Sequence, residues 1–282
     1  MIVESSLTET RRIVRAARGR GVLIGCIPTM GALHQGHVSL IEVAQWECGF
    51  NVATIFVNPT QFGPHEDFTR YPRTLDADVE MCRAAGADLI FTPPVSAMYA
   101  ESAQTIVRVG GLAEVLEGSH RPGHFDGVST VVAKFFHIIE PDRAYFGQKD
   151  FQQQLIIRQM VADLDLPVEI MTCPIIREAD GLAMSSRNRY LSVAERQQAS
   201  QLFQTLLLAE KLAAESTLTP PEISRQMADH LSSVAGIEVQ YAVIADAVTL
   251  KLLQHRSNPA VALLAVKVGS TRLIDNQILR FR

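Results

Sequence analysis

The chain has 282 residues, of which 47% are hydrophobic and 20% charged, a composition typical of a globular protein with room for two domains. Its formal net charge of −4 provides no basic field, which disfavours a large RNA or DNA partner. The first residues mix both charges and no apolar run approaches the roughly 20 residues that span a bilayer, so we expect neither a secretory signal nor a membrane helix.

The cysteines are scattered along the chain and form no Cys-x-x-Cys pair. They are Cys26, Cys48, Cys82 and Cys173. This spacing indicates neither a disulfide framework nor a zinc site, so we expect a reducing, cytoplasmic setting.

The first two-thirds of the chain alternates helical and strand-like patterns. The first helix is predicted from Thr8 to about Arg18, with Thr8 as its N-cap. Strand-like runs follow at Val22–Ile27, Val52–Val57, Asp88–Phe91, Arg143–Phe146 and Val168–Cys173. Helical patterns separate them at His37–Cys48, Leu75–Ala85, Val128–Ile139 and Phe151–Leu164. The alternation predicts right-handed βαβ units and an α/β fold, a parallel sheet covered on both faces.

A segment inside this region breaks the alternation. Thr105–Gly118 reads as a short strand, a turn and a short helix, and Ser119–Gly127 as a loop rich in Gly, Pro and His.

The pattern changes after Cys173-Pro174. Ser192–Ser216 predicts a long helix with a Ser192/Glu195 capping box, and Thr219 precedes another helix. Three strands are then predicted at Glu238–Ala245, Val261–Val268 and Thr271–Leu279. We therefore expect two domains, residues 1–176 and a smaller α+β domain of residues 177–282.

The most informative motif lies where the first predicted parallel strand passes into a helix. It reads PTMGALHQGH and ends in His34 and His37. A glycine-punctuated turn that opens a helix is typical of phosphate binding, and two imidazoles three residues apart can both donate to one anion. A bare His-x-x-His is more often two partly exposed histidines, but the strand–turn–helix context favours the phosphate site.

Two further groups of polar residues follow predicted strands. Asn58 and Gln61 offer uncharged amides suited to hydroxyls and a carboxylate, although an Asn-Pro turn is an equal alternative. Lys149 stands where a strand gives way to a helix and can hold phosphate, with Asp150 beside it and Gln153 on the first helical turn. The plain alternative for Lys149 is a surface ion pair.

Two loops complete the set. Ser185, Ser186 and Arg187 combine hydroxyls, backbone amides and a guanidinium that can offset charge on a departing pyrophosphate; a polar interdomain linker is the alternative. His120 to Asp126 contains Arg121 and is either a mobile lid or only a long loop. Three separate phosphate-binding groups without a covalent nucleophile predict adenylyl transfer from ATP to a small acid.

The same blocks carry a resemblance. In order along the chain they are IPTMGALHQGH, FVNPTQF, RYPRTL, HRPGHFDGVSTVV, YFGQKDFQQ and MSSRNRYLS, and together they resemble the pantoate–β-alanine ligases (pantothenate synthetases). The tail VQYAVIADAVTL with GSTRLIDN is similar to the C-terminal domain of that family. The resemblance implies a Rossmann-like, doubly wound nucleotide-binding domain, an HxGH nucleotidyltransferase motif, and a two-step ligation of pantoate to β-alanine through pantoyl adenylate.

The resemblance also implies roles for single residues. His37 would be the proton-donating histidine, and His34, Lys149 and Arg187 would share the catalytic work. The ATP site would consist of Met30, Gly31, Ala32, Leu33, His34, Gln35, Gly36, His37, Gly147, Gln148, Lys149, Asp150, Ile176, Met184, Ser185, Ser186 and Arg187. Pantoate and β-alanine would be bound by Gln61, Gln153, Asn58 and Arg121.

Members of the family need Mg²⁺ and usually form homodimers, so both are expected here. Asp76 and Asp78 are candidate magnesium ligands, but their spacing selects neither, and we expect the ion to arrive mainly with the ATP phosphates. The C-terminal domain or the Arg121 loop is expected to cover the intermediate. The alternatives are a small-molecule nucleotidyltransferase and a nucleotide-binding regulator without turnover; tRNA charging is disfavoured by the acidic chain.

Overall fold

A six-stranded parallel sheet forms the centre of the first of two structural units. The computed structural model describes residues 1–64 and 66–282. The first unit comprises Met1–Gln148 and Gln152–Pro174, and the second comprises Lys149–Phe151 and Ile175–Arg282.

The sheet has the strand order β1-β4-β3-β2-β5-β6, and every neighbouring pair is parallel. Its strands are β1 (Ile2–Glu4), β2 (Ile24–Thr29), β3 (Phe50–Ile55), β4 (Leu89–Phe91), β5 (Arg143–Gly147) and β6 (Glu169–Cys173). The chain moves outward from β2 through β3 to β4 and then continues on the other side with β5. The order therefore reverses between β2 and β5, which is where open parallel sheets bind ligands beyond their carboxyl ends.

Helices cover both faces of this sheet because side chains of each strand alternate between two apolar layers. The helices are α1 (Leu7–Arg18), α2 (Gln35–Glu47), α3 (Leu75–Ala85), α4 (Val95–Met98), α5 (Glu117–His120), α6 (His124–Ile139) and α7 (Phe151–Asp163). In β2, Cys26 packs into the layer under α1, α6 and α7, whereas the next residue, Ile27, packs into the layer under α2 and α3. In β5, Phe146 packs into the same layer as Cys26, and Tyr145 packs into the same layer as Ile27.

The second unit is built on a three-stranded antiparallel sheet, β7-β8-β9. Its elements are α8 (Val193–Ala199), α9 (Gln201–Glu215), α10 (Pro220–Ser232), β7 (Ile237–Asp246), β8 (Ala260–Val268) and β9 (Thr271–Leu279). The middle strand β8 is almost wholly apolar and almost wholly buried, because it is paired on both edges and packed under helices. The α/β fold with a smaller C-terminal α+β part is thus confirmed.

Several predicted boundaries differ from the structure. Ser6, and not Thr8, caps α1, because its hydroxyl accepts the Glu9 N–H. The predicted long helix of 192–216 is two helices, separated at Ser200, although the Ser192/Glu195 capping box is present. In the part of the chain that is described, residues 105–109 form no strand.

The largest difference bears on the site. Helix α6 begins at His124, four residues before the predicted start at Val128, and the preceding loop contains the short helix α5. His124 is therefore a buried residue of a helical N-terminus. Across residues 1–64 and 66–282, no helix is both long and apolar enough to cross a membrane.

Candidate active site

The candidate site begins at the carboxyl end of β2, beside the reversal of strand order. Met30 to Leu33 connect β2 to α2, and on the other side of the reversal β5 ends at Gly147, followed by Gln148. The sequence-predicted residues on both strands thus lie at the edge of the sheet where a ligand binds in this class of fold.

The connection between β2 and α2 is a tight turn with two residues at positive φ. They are Gly31 (φ 79°) and Ala32 (φ 50°), the second an uncommon conformation for a residue with a Cβ. The buried carboxylate of Asp78 holds the turn, accepting the backbone N–H of Ala32 at 3.0 Å and of Leu33 at 2.7 Å. The Thr74 hydroxyl donates to the same carboxylate. The strained turn is therefore stabilised from α3.

His34 and His37 form a reciprocal cap at the start of α2. His34 is the N-cap, and its Nδ1 accepts the Gly36 N–H at 3.2 Å. The Nδ1 of His37 accepts the His34 N–H in a longer contact of 3.4 Å. The ring centroids are 4.1 Å apart. The structure thus brings the two imidazoles together at a helix N-terminus.

This cap determines which ring atom of each histidine donates. Because both Nδ1 atoms accept a backbone N–H, the proton of each neutral ring resides on Nε2. The Nε2–H groups and the positive end of the α2 dipole together favour a bound anion. Between the histidines, Gln35 is exposed, and Gly36 supplies its N–H to the cap.

Gln61 is held beside this turn. Its side-chain Nε2 lies 2.9 Å from the Met30 sulfur, and its Oε1 accepts a hydrogen bond from Asn58 Nδ2 at 3.1 Å. Asn58 is completely buried, and its Oδ1 accepts the Tyr99 hydroxyl at 2.8 Å. The buried Asn58 amide therefore orients the side chain of Gln61. A direct contact of Asn58 with substrate stays a prediction.

Arg121 is engaged with other protein groups. Its guanidinium makes two hydrogen bonds of 2.7 Å to the Glu66 carboxylate and contacts His124 Nε2 at 2.9 Å. Direct binding of pantoate by Arg121 stays a prediction.

The three consecutive glutamines of α7 differ in their burial and in their hydrogen-bond partners. Gln152 is buried and donates to the carbonyls of Leu112 and Val115. Gln154 is also buried, and its Oε1 accepts from Thr172. Gln153, between them, is partly exposed. Of the three, it is the one whose side chain reaches the surface.

Lys149 belongs to the second unit. Its carbonyl accepts a hydrogen bond of 3.0 Å from the side chain of Asn276 in β9, and its ammonium lies 3.8 Å from Asp150. Asn276 is buried and follows the buried Asp275, which forms an ion pair of 2.6 Å with Arg177. The backbone of Lys149 is thus anchored to a rigid strand.

The 184–187 loop is also shaped by local bonds in the second unit. Met184 N donates to the Ile176 carbonyl at 2.9 Å, so the two segments run side by side. Ser185 caps the short 3₁₀ turn Ser186–Tyr190 by accepting the Arg187 N–H. The predicted ATP-binding residues Ile176 and Met184–Arg187 are therefore neighbours.

A cavity of about 320 Å³ opens at the carboxyl ends of β3 and β4. Met30 and Gly31 border it on one side, and its other walls include Ile55–Val57 and Thr92–Val95. The start of the loop after β2 therefore borders this cavity.

The two candidate magnesium ligands, Asp76 and Asp78, differ in their surroundings. Both oxygens of Asp78 already accept N–H or O–H groups, and Asp76 is exposed on the same helix. Within the described ranges, no three His, Cys, Asp or Glu residues cluster at metal-binding distance. The arrival of Mg²⁺ with the ATP phosphates stays a prediction.

Sequence reasoning misses two supporting residues. It considers Asp78 only as a metal ligand, although Asp78 lies on the apolar stripe of its helix, four residues before buried Cys82, a position that indicates burial. It places His124 in a loop because the Pro122-Gly123 turn hides the start of α6.

Comparison with known proteins shows the family to which the chain belongs. A family model described as "Pantoate-beta-alanine ligase" matches residues 2–278. Pantothenate synthetases of Acetivibrio thermocellus and Moorella thermoacetica are 47% and 49% identical, over 99% and 97% of both chains in each pair.

Solved structures agree with these sequence matches. The crystal structure of pantothenate synthetase from Thermus thermophilus has a TM-score of 0.93 at 43% identity and covers 99% of both chains. A pantoate-β-alanine ligase from Francisella tularensis, complexed with β-γ ATP and β-alanine, has a TM-score of 0.81 at 33% identity, covering 99% of this chain and 97% of that one.

Proposed function

The chain belongs to the pantoate–β-alanine ligase family and joins pantoate to β-alanine with ATP to give pantothenate, and we propose that the reaction proceeds through pantoyl adenylate. The observation that supports this route is the His34/His37 cap. Two Nε2–H donors at a helix N-terminus can stabilise charge on phosphate oxygens without becoming covalently modified.

In the first step, a carboxylate oxygen of pantoate attacks the α-phosphorus of ATP, a P–O bond forms, and pyrophosphate leaves. His37 and His34 donate hydrogen bonds to the phosphate oxygens as charge moves toward the leaving group. Lys149 and Arg187 contribute positive charge to the same phosphates.

In the second step, the amine of β-alanine attacks the acyl carbon of the adenylate. The C–O bond to the phosphate breaks, AMP leaves, and the nitrogen loses a proton. Gln61 binds pantoate and approaches β-alanine, and Gln153 binds pantoate through its exposed amide. The orientation that Asn58 imposes on Gln61 supports this assignment.

The nucleotide would be bound mainly by backbone and small polar groups. The residues are Met30 to His37, Gly147 to Asp150, Ile176, and Met184 to Arg187. Mg²⁺ would enter with the ATP phosphates, which agrees with the fully engaged carboxylate of Asp78.

The larger-scale assignments are also part of the proposal. They are a homodimer, a cytoplasmic location, a catalytic domain of residues 1–176 and a C-terminal domain of residues 177–282 that covers the intermediate. The four cysteines are buried and unpaired, which favours a reducing compartment. Light scattering after gel filtration would test the dimer.

The reaction is tested with ATP, Mg²⁺, β-alanine and pantoate labelled with ¹⁸O in its carboxylate. We expect pantothenate, pyrophosphate and AMP that carries one labelled oxygen. Unlabelled AMP would contradict the acyl adenylate. A stable nucleotide-linked product that needs no amine would instead favour a nucleotidyltransferase.

A further inference from the structure

A chain of hydrogen bonds connects Glu66, Arg121 and His124 to the backbone of Gln61. Arg121 forms a two-pronged pair with Glu66, and its Nη1 lies 2.9 Å from His124 Nε2. His124 Nδ1 lies 2.8 Å from the Gln61 carbonyl oxygen. We call these residues the His124 chain.

The partners determine the state of the His124 ring. A guanidinium only donates, so Nε2 must accept; a carbonyl only accepts, so Nδ1 carries the proton. His124 is therefore a neutral imidazole in the Nδ1–H form. Burial, reinforced by the positive charge of Arg121, lowers the pKa of His124 to about 4, which agrees with a neutral ring.

Gln61 ends the 3₁₀ turn Pro59–Gln61, and helix α6 contacts this turn at a second point. A Cβ on Gly127 would lie 2.4 Å from the Thr60 carbonyl oxygen and 2.6 Å from Gln61 N, so only glycine fits. The Gly127 carbonyl accepts a hydrogen bond from Asn58 Nδ2 at 3.1 Å. The first turn of α6 thus contacts the backbone of Gln61 and the residue that orients its side chain.

We propose that His124 is a positioning residue for substrate binding. By holding the Gln61 carbonyl, it keeps the Gln61 amide, already in contact with Asn58 and Met30, in the orientation that receives pantoate. This inference rests on the proposed role of Gln61 as a substrate-binding residue.

The test compares two isosteres of histidine. In His124→Asn the amide nitrogen replaces Nδ1–H and the bond to Gln61 is retained. In His124→Gln the amide reaches toward Arg121 and the donor to Gln61 is lost. We expect His124→Gln to raise the KM for pantoate roughly tenfold, with the KM for ATP unchanged, and His124→Asn to have little effect.

A matched control is His137→Gln, since His137 is exposed on the same helix. If His124→Gln does not fold, Glu66→Gln tests the outer end of the His124 chain. For this variant we expect a smaller rise in the KM for pantoate. Equal increases for ATP and pantoate, or no increase in either variant, would overturn the proposal.

A double-mutant cycle separates positioning from general destabilisation. On a Gln61→Ala background, His124→Gln should add little further loss in pantoate binding, because the group that it positions is gone. An undiminished loss would contradict the proposal. If Gln61→Ala itself leaves the KM for pantoate unchanged while pantothenate still forms, the role of Gln61 fails and the ligase assignment stands.

Discussion

The Asp78 carboxylate accepts the backbone N–H of Leu33 at 2.7 Å across 45 residues of sequence, and so ties the first turn of α3 to the loop that leads into the His34/His37 cap. The same carboxylate accepts the N–H of Ala32, whose φ of 50° needs support. A single buried side chain on α3 therefore sets the geometry of the loop between β2 and α2.

Asp78→Asn should weaken this loop without changing its size. The asparagine has one acceptor oxygen and an NH₂ group that opposes a backbone N–H, so we expect a loss of about 1–3 kcal/mol in the free energy of unfolding. The KM for ATP should rise roughly tenfold. Urea denaturation and steady-state kinetics measure both effects.

Asp76→Asn is the matched control, because Asp76 is exposed on the same turn of α3. We expect neither variant to change the Mg²⁺ concentration that gives half-maximal rate at saturating ATP. A strong increase in that concentration for Asp78→Asn would instead make Asp78 a metal ligand.

The hydrogen bonds predict opposite tautomers for the histidines of the site. His34 and His37 should carry their protons on Nε2, and His124 should carry its proton on Nδ1. Nitrogen-15 NMR of histidine-labelled protein near neutral pH distinguishes the two forms by the coupling of ring nitrogens to ring protons. A common tautomer for all three would contradict the bonding described here.

His37→Ala should lower the rate of adenylate formation by roughly 10²–10³, the usual effect of removing one donor to developing charge. His37→Gln should recover part of this loss because its amide N–H extends to about the position of Nε2–H. Single-turnover quenching with ATP and pantoate measures this step. An unchanged rate in His37→Ala would remove the histidine from the phosphate chemistry.

His124 should also contribute to acid sensitivity. Its pKa is lowered from 6.5 to about 4 in the folded chain, chiefly by burial. Between these values the unfolded chain takes up a proton that the folded chain does not, so stability falls as the pH decreases from 6.5 toward 4. The full effect is about 3 kcal/mol.

Urea denaturation at several pH values in this window measures the effect. The free energy of unfolding of His124→Asn should decrease less with falling pH than that of wild type, whereas His137→Asn should follow wild type. Parallel curves for all three proteins would show that His124 does not carry the acid sensitivity.

Local patterns in the chain were sufficient for the types of most elements. The alternation of strand-like runs with helical patterns predicted the parallel sheet. Helix α3 was predicted with its observed bounds, Leu75–Ala85. The predicted ends of helices were wrong where two neighbouring sequence patterns favour different boundaries. Ser200 divides a continuous helical pattern, and the Pro122-Gly123 turn before His124 obscured the start of α6.

Some features of the candidate site also follow from local sequence alone. The spacing of His34 and His37 already requires that their rings be neighbours, because three residues make about one helical turn. The capping role of Ser185 is likewise a local property of its loop.

The support of these groups comes from residues distant in sequence. Asp78 reaches Leu33 across 45 residues, and His124 reaches Gln61 across 63. Such contacts depend on which helices the βαβ crossovers bring to the carboxyl edge of the sheet, and no local spacing encodes them. Residue type and spacing predicted which groups bind phosphate. Packing between distant segments decided which ring nitrogen of His124 donates, and that the Asp78 carboxylate supports the loop before the His34/His37 cap.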